Sequence, residues 1–140
     1  MYLLDTNILS EIRKIEKNRA NQGVVNWLAT ISQEDIFINP VVLMELERGV
    51  LALERKDPQQ GKLLRNWLEK DICWFFQDKT LAIDKRTAQI CAKLHIPNHA
   101  PENDAWIAAT AIQYNLTLVT RNIADFTNTG VKLFNPFDDN

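Results

Sequence analysis

Four carboxylates in this 140-residue chain stand where the surrounding pattern has little structural use for a charge: Asp5, Glu45, Asp104 and Asp125. Asp5 closes the apolar run Tyr2-Leu3-Leu4 and is followed at once by Thr6 and Asn7. It therefore falls at the carboxyl end of a strand, the edge at which open α/β sheets place their ligands. Glu45 lies inside a stripe of helical period, Val42, Glu45, Leu46, Gly49 and Leu53, whereas its neighbour Glu47 falls on the other side. A carboxylate in an apolar stripe is costly unless it meets a cation, a basic partner or a proton. Asp104 continues a second stripe, with Ile107, Ala108, Ala111 and Ile112, and Glu102 does not. Asp125, in TRNIADF, lies just beyond another strand end. Each acid alone also has an ordinary use: Asp5 as a helix cap, Glu45 in a salt bridge, Asp104 as a first-turn charge favouring the helix dipole, Asp125 as a solvated turn residue. Gathered in one place they have a chemistry in common. Two carboxylates about 4 Å apart repel by about 4 kcal/mol at an effective dielectric of 20, and a hard divalent cation with oxygen ligands resolves that conflict.

The elements that must position these acids follow from hydrophobic periodicity. Residues 2–4, 36–38, 81–83, 116–119 and 131–134 read as short, mostly apolar strands, as in a parallel sheet buried on both faces. Helices are expected over residues 7–14 with Asn7 as the cap, and over 24–31, 41–55, 58 to about 76, 84–94 and 103–114. The polar stretch KIEKNRANQ, residues 14–22, reads as a loop or a frayed helix, and Lys56-Asp57 as the link between two antiparallel helices. This alternation predicts one domain spanning residues 1–140, an α/β three-layer sandwich with a mainly parallel sheet of about five strands flanked by helices.

Four pieces in this order, LLDTN, VVLMELERG, NDAWIAATA and TRNIADF, resemble the motifs of the PIN-domain family, and most of all those of VapC-type ribonuclease toxins of bacterial toxin-antitoxin pairs. The likeness runs from the first strand to the closing VKLFNPF, essentially the whole chain. It implies a PIN-like fold in which Asp5, Glu45, Asp104 and Asp125 gather at the end of the sheet and hold Mg²⁺ or Mn²⁺, Asp5 and Asp104 most directly, with Asn7, Thr120 and Asn122 in support. It further implies a metal-dependent endoribonuclease that hydrolyses RNA phosphodiester bonds by in-line attack of water, leaving 5′-phosphate and 3′-hydroxyl ends. A cognate VapB-like antitoxin would neutralise it. The chain departs from the commoner pattern twice. Pro40, Val41 and Val42 occupy the turn where many relatives carry a small hydroxyl residue, and the loop of residues 14–22 is long. Neither change removes an acid, so both bear on substrate fit and partner contacts rather than on metal binding.

A net charge of −2 and a pI near 5.7 speak mildly against a nucleic-acid partner. With the four site acids set aside, however, 14 acids remain against 16 Lys plus Arg. Arg13, Lys14, Lys17 and Arg19 cluster after the first motif and Arg121 stands beside the last, which makes Arg13, Lys14 and Arg121 candidates for holding RNA phosphates; the same residues read equally well as a solvated face. Trp27, Trp67, Trp74 and Trp106 read as packing residues, with Trp67 and Trp74 a candidate homodimer surface. His95 and His99 have the spacing of a helical zinc pair, but Pro97 interrupts it, so no metal is expected there. Cys73 and Cys91 are expected as reduced thiols in a cytoplasmic chain, since no export signal precedes them, and no apolar run approaches the about 20 residues needed to cross a bilayer. Among rival enzymes, a phosphatase of the Asp-x-Asp type lacks its second acid, because Asp5-Thr6-Asn7 has Asn in that place. A receiver domain lacks its acidic pair and lysine, and dinucleotide binding lacks Gly-x-Gly-x-x-Gly. The remaining alternative is a PIN module that binds RNA or protein with little catalysis.

Overall fold

The computed structural model describes residues 1–138. Four strands, β1 (Tyr2–Leu4), β2 (Ile36–Phe37), β3 (Thr117–Val119) and β4 (Leu133–Phe134), form one sheet in the order β2-β1-β3-β4, and every pairing is parallel. Leu3, Leu4, Leu118 and Val119 are fully buried, which is why these strands show no polar alternation in the sequence. Tyr2 pairs with Ile36 on one side and Thr117 on the other, and Leu4 pairs with Val119. The chain thus leaves β1 for a neighbour on one side and returns later to a neighbour on the other. That reversal is a topological switch point, and it sets the carboxyl ends of β1 and β3 beside each other.

The sheet has four strands, not the expected five. Ile38 makes a single parallel bridge with Thr80, using Ile38 N to Lys79 O at 3.0 Å and Leu81 N to Ile38 O at 2.8 Å. The chain then turns away, because Asp84 caps the following helix in a reciprocal capping box with Thr87, and this leaves residues 81–83 no length in which to pair.

The helices are α1 (Thr6–Arg13), α2 (Gln22–Leu28), α3 (Pro40–Lys56), α4 (Pro58–Asn66), α5 (Cys73–Phe75), α6 (Lys85–Leu94) and α7 (Glu102–Gln113). The cap of α1 is Asp5 rather than Asn7: Asp5 is extended and accepts from Thr6 N, so the helix starts one residue early. The stretch expected as a loop holds a 3₁₀ turn, Lys14–Lys17, closed by Asn18 in the left-handed region at φ 53°. Asn21 then caps α2. Asp57 both ends α3 and caps α4, which makes the expected hairpin tight. The two helices approach so closely at Gly61 that a Cβ there would lie 2.4 Å from Glu54 Cα. Arg65 of α4 ties the pair further through Glu47 and Glu54 of α3. Between α4 and α5 the backbone is π-helical over Trp67–Ile72, with Cys73 N bonded to Leu68 O, so the long helix expected here widens in its second half. Ala105, Ala108, Ala109 and Ala111 of α7 are fully buried, and these small side chains let the helix lie close to the sheet and to Cys91 of α6. Among the described residues no helix is long and apolar enough to cross a membrane; both cysteines are free, Cys91 buried and Cys73 exposed rather than both buried as their apolar neighbours suggest.

Candidate active site

Strand geometry delivers the first carboxylate. Asp5 N donates to Val119 O at 3.0 Å, which continues the β1–β3 ladder one step past the strand and holds Asp5 at the switch point. Its side chain is only 5% exposed and is bonded on both oxygens. Oδ1 accepts Thr6 N at 2.8 Å; Oδ2 accepts Thr120 Oγ1 at 2.8 Å and Asn7 Nδ2 at 3.1 Å. Burial pushes this carboxyl above its ordinary range and Glu45 adds to that, while Thr120, Thr6 and Asn7 pull it back without cancelling the rise.

Glu45 comes from the second turn of α3, where helical period turns it inward between Val42 and Leu46. No lysine or arginine pairs with it among the described residues, which removes the salt-bridge explanation. Its Oε1 accepts Thr6 Oγ1 at 2.7 Å and its Oε2 accepts Asn103 Nδ2 at 3.4 Å. Thr6 and Asn103 are the residues that reading the sequence missed. Their only visible signal is adjacency, since each directly follows or precedes one of the four acids.

Asp104 sits in the first turn of α7, a helix with no side-chain cap. Its carboxyl is raised to about 6 by burial first, then by Asp5, Asp125 and Glu45 in that order. Those three repulsions put the acids in one neighbourhood, although among the described residues no three of their oxygens lie within 4.8 Å of one another, as mutual repulsion without a cation requires. Asp125 arrives on the 3₁₀ segment Ile123–Thr129, which packs on α7, and is the exposed member of the group. The structure therefore brings all four acids to the carboxyl edge of the sheet. Asn7 and Thr120 touch Asp5 directly, and Asn122 joins through its main chain, with N donating to Thr120 Oγ1 at 3.0 Å and O accepting Asp125 N at 3.1 Å.

The basic candidates divide. Arg121 N donates to Asn7 Oδ1 at 3.1 Å, so this residue lies at the rim of the acids, with its guanidinium 4.6 Å from the centre of the Phe137 ring. Arg13 and Lys14 are at the far end of α1, about 12 Å along the helix from Asp5. There Arg13 stacks over Trp67 at 5.9 Å and Lys14 pairs with Glu11 at 3.1 Å. A cavity of about 340 Å³ beside them, lined by Leu9, Ile12, Trp67, Ile72 and Phe75 among others, contains none of the four acids. Trp67 is partly buried in the core, whereas Trp74 is 68% exposed.

The donor set at the four acids is all oxygen, mutually repelling and without a basic partner among the described residues, which fits a hard divalent cation. A sequence model of the PIN domain matches residues 2–132. Toxin FitB of Neisseria gonorrhoeae is 34% identical over 144 residues, covering 99% of this chain and 100% of FitB. Ribonuclease VapC14 of Mycobacterium tuberculosis is 38% identical over 82 residues, covering 59% of this chain and 69% of that protein. The crystal structure of FitAcB from Neisseria gonorrhoeae superposes with a TM-score of 0.86 at 33% sequence identity, over 97% of this chain and 98% of that one.

Proposed function

The chain belongs to the PIN-domain family, and from that premise we propose that it is a divalent-metal-dependent endoribonuclease, the toxin of a toxin-antitoxin pair held in check by a VapB-like antitoxin. The observation that carries this reading is the hydrogen-bond chain that ties four acids from four separate segments: Thr6 bridges Asp5 and Glu45, Asn103 joins Glu45 to the turn that carries Asp104, and Thr120 with Asn122 joins Asp5 to the segment of Asp125. Relatives named as ribonucleases and as a toxin support the substrate class and the biological role.

Asp5, Glu45, Asp104 and Asp125 hold the cation, Mg²⁺ or Mn²⁺. When bound, it supplies Lewis-acid activation of the attacking water and neutralises charge on the scissile phosphate. The chain does the positioning. Thr120, Asn7 and Thr6 fix both oxygens of Asp5, and Thr6 and Asn103 fix both oxygens of Glu45. The uncapped start of α7 turns the positive end of its dipole to the acid cluster, where it favours the carboxylates and an incoming phosphate alike. Asp104, raised to about 6, holds its proton mainly below that pH in the cation-free chain, so cation affinity should weaken as pH falls through that value. Arg121, whose main chain bonds Asn7 beside the acids, is the basic residue we assign to an RNA phosphate. Of the two tryptophans expected at a homodimer surface, Trp74 is exposed and is the one available to it, whereas Trp67 packs partly buried against the core.

The test is cleavage of single-stranded RNA and of a phosphomonoester by the purified chain with Mg²⁺, repeated with EDTA. Mg²⁺-dependent RNA cutting that EDTA stops is the expected result. Hydrolysis of the phosphomonoester alone, or binding of RNA without cutting, would refute the endoribonuclease reading. Growth arrest on expression, relieved by the product of a neighbouring gene, tests the toxin role separately.

A further inference from the structure

We propose that His95, His99 and Glu102 form a second metal site, distinct from the carboxylate centre and suited to a divalent transition metal of the Zn²⁺ or Co²⁺ class. The histidine spacing has Pro97 in its middle, which argues against a helical pair, and no helix is needed to bring the rings together. Helix α6 ends at Leu94, His95 is its C-cap, and the following loop folds back so that the two imidazoles stack with centroids 4.3 Å and planes 22° apart. Both rings then face one oxygen: Glu102 Oε2 is 3.7 Å from His95 Nε2 and 3.5 Å from His99 Nε2. All three donors lie within 4.8 Å of one another. In a tetrahedral site with bonds of about 2.0–2.1 Å the donors stand about 3.4 Å apart and each imidazole meets the ion in its own plane, so the exposed His99 ring turns out of the stack to seat an ion among the three. Two imidazoles with one carboxylate favour Zn²⁺, Co²⁺ or Ni²⁺ over Mg²⁺, which takes oxygen donors.

The surroundings give the site a rigid side and an open side. His95 is 14% exposed, is anchored by Ala100 N donating to its Nδ1 at 3.0 Å, and has Cys91 Sγ 3.9 Å from its Nε2. His99 and Glu102 are 75% and 60% exposed, leaving the fourth position to water. The Ala100 N–H occupies the Nδ1 lone pair and leaves Nε2 as the nitrogen facing Glu102. An ion held on Nε2 would leave any ring proton on Nδ1, facing the Ala100 N–H, so the Ala100 amide would shift on binding and the loop would report occupancy. Because Glu102 is the first residue of α7, an ion here clamps the loop of residues 96–101 to the helix that carries Asp104. The inference is independent of the ribonuclease reading.

The chain has two histidines in all, and the carboxylate centre contains neither. Zn²⁺ is titrated into the full chain in excess Mg²⁺ while the histidine side-chain nitrogens and the Ala100 amide are followed by NMR. Both Nε2 resonances and the Ala100 amide should move together and saturate at a single equivalent. His99→Ala and Glu102→Gln should each weaken the response by at least about tenfold, and Asp125→Asn should leave it unchanged. Histidine signals that do not move, or a His95 response that persists unaltered in His99→Ala, would overturn the proposal.

Discussion

Asp104 holds its proton more tightly in the folded chain than in the unfolded one, its carboxyl being raised from 3.8 to about 6 by burial and by Asp5, Asp125 and Glu45. The native state therefore binds more protons between those values, and stability of the cation-free chain falls as pH rises through that window, with the full penalty present above it. We expect the EDTA-treated protein to melt a few degrees higher at pH 5 than at pH 7, and Asp104→Asn to flatten that difference while abolishing RNA cleavage; a slope unchanged in the variant would mean that Asp104 does not feel the other acids. Thr6 acts on Glu45 rather than on substrate. Thr6→Val should lower cleavage about tenfold through weaker cation affinity with less than about 1 kcal/mol of stability lost, and Thr6→Ser should restore it, because the 2.7 Å hydroxyl contact to Glu45 Oε1 is what positions the acid. Cation titrations of the two variants alongside urea melts decide this. At this scale the sequence was legible wherever an acid broke an apolar pattern, as Glu45 and Asp104 do. It was silent on Thr6 and Asn103, whose hydrogen-bond partner lies 39 and 58 residues away.

The helices that carry these acids are locked to each other by one buried amide. Asn39 is fully buried; its Oδ1 accepts Val42 N at 3.1 Å to cap α3, and its Nδ2 donates to Thr110 Oγ1 at 3.1 Å on α7. Glu45 and Asp104 ride on those two helices. Asn39→Ala should cost about 2–3 kcal/mol in urea unfolding, from the lost cap and the stranded partners, and should reduce cleavage even where the protein remains folded. Asn39→Asp keeps the cap acceptor but loses the donor, so it should not rescue; full activity in Asn39→Asp would show that the bond to Thr110 is irrelevant. Periodicity located nearly every element because a helix stripe and a buried strand leave different spacings. It overcounted the sheet because Leu81-Ala82-Ile83 is apolar enough for a strand, and only the backbone path toward the Asp84 cap shows that it does not pair. The π-helical turn at Trp67–Ile72 left no trace either, since Leu68 and Ile72 are buried four residues apart, as an ordinary α-helix would place them.

At the scale of the molecule, strand order does what no local signal announces. The order β2-β1-β3-β4 puts β1 between its neighbours, and so joins residues 115 positions apart, Asp5 and Thr120, in one 2.8 Å bond. The parallel fold and the sheet edge that bears the acids were readable from apolar strands ending in polar residues; the adjacency of those ends was not. Positive charge also proved more dispersed than the sequence suggested: the Arg121 main chain meets Asn7 beside the acids while its guanidinium lies on Phe137 and within electrostatic reach of Glu11, and Arg13 and Lys14 are engaged at the far end of α1. For the proposed homodimer, with Trp74 68% exposed on the single chain, Trp74→Glu should shift sedimentation toward the monomer. The central claim, that four acids act as one cation centre, is tested most directly by calorimetric titration of Mg²⁺, which imidazole sites bind poorly, into the wild-type chain and into Asp104→Asn and Asp125→Asn. A shared centre predicts that each variant loses at least about tenfold in affinity. Affinity that is the same in all three would show that the acids stand together without holding a common ion.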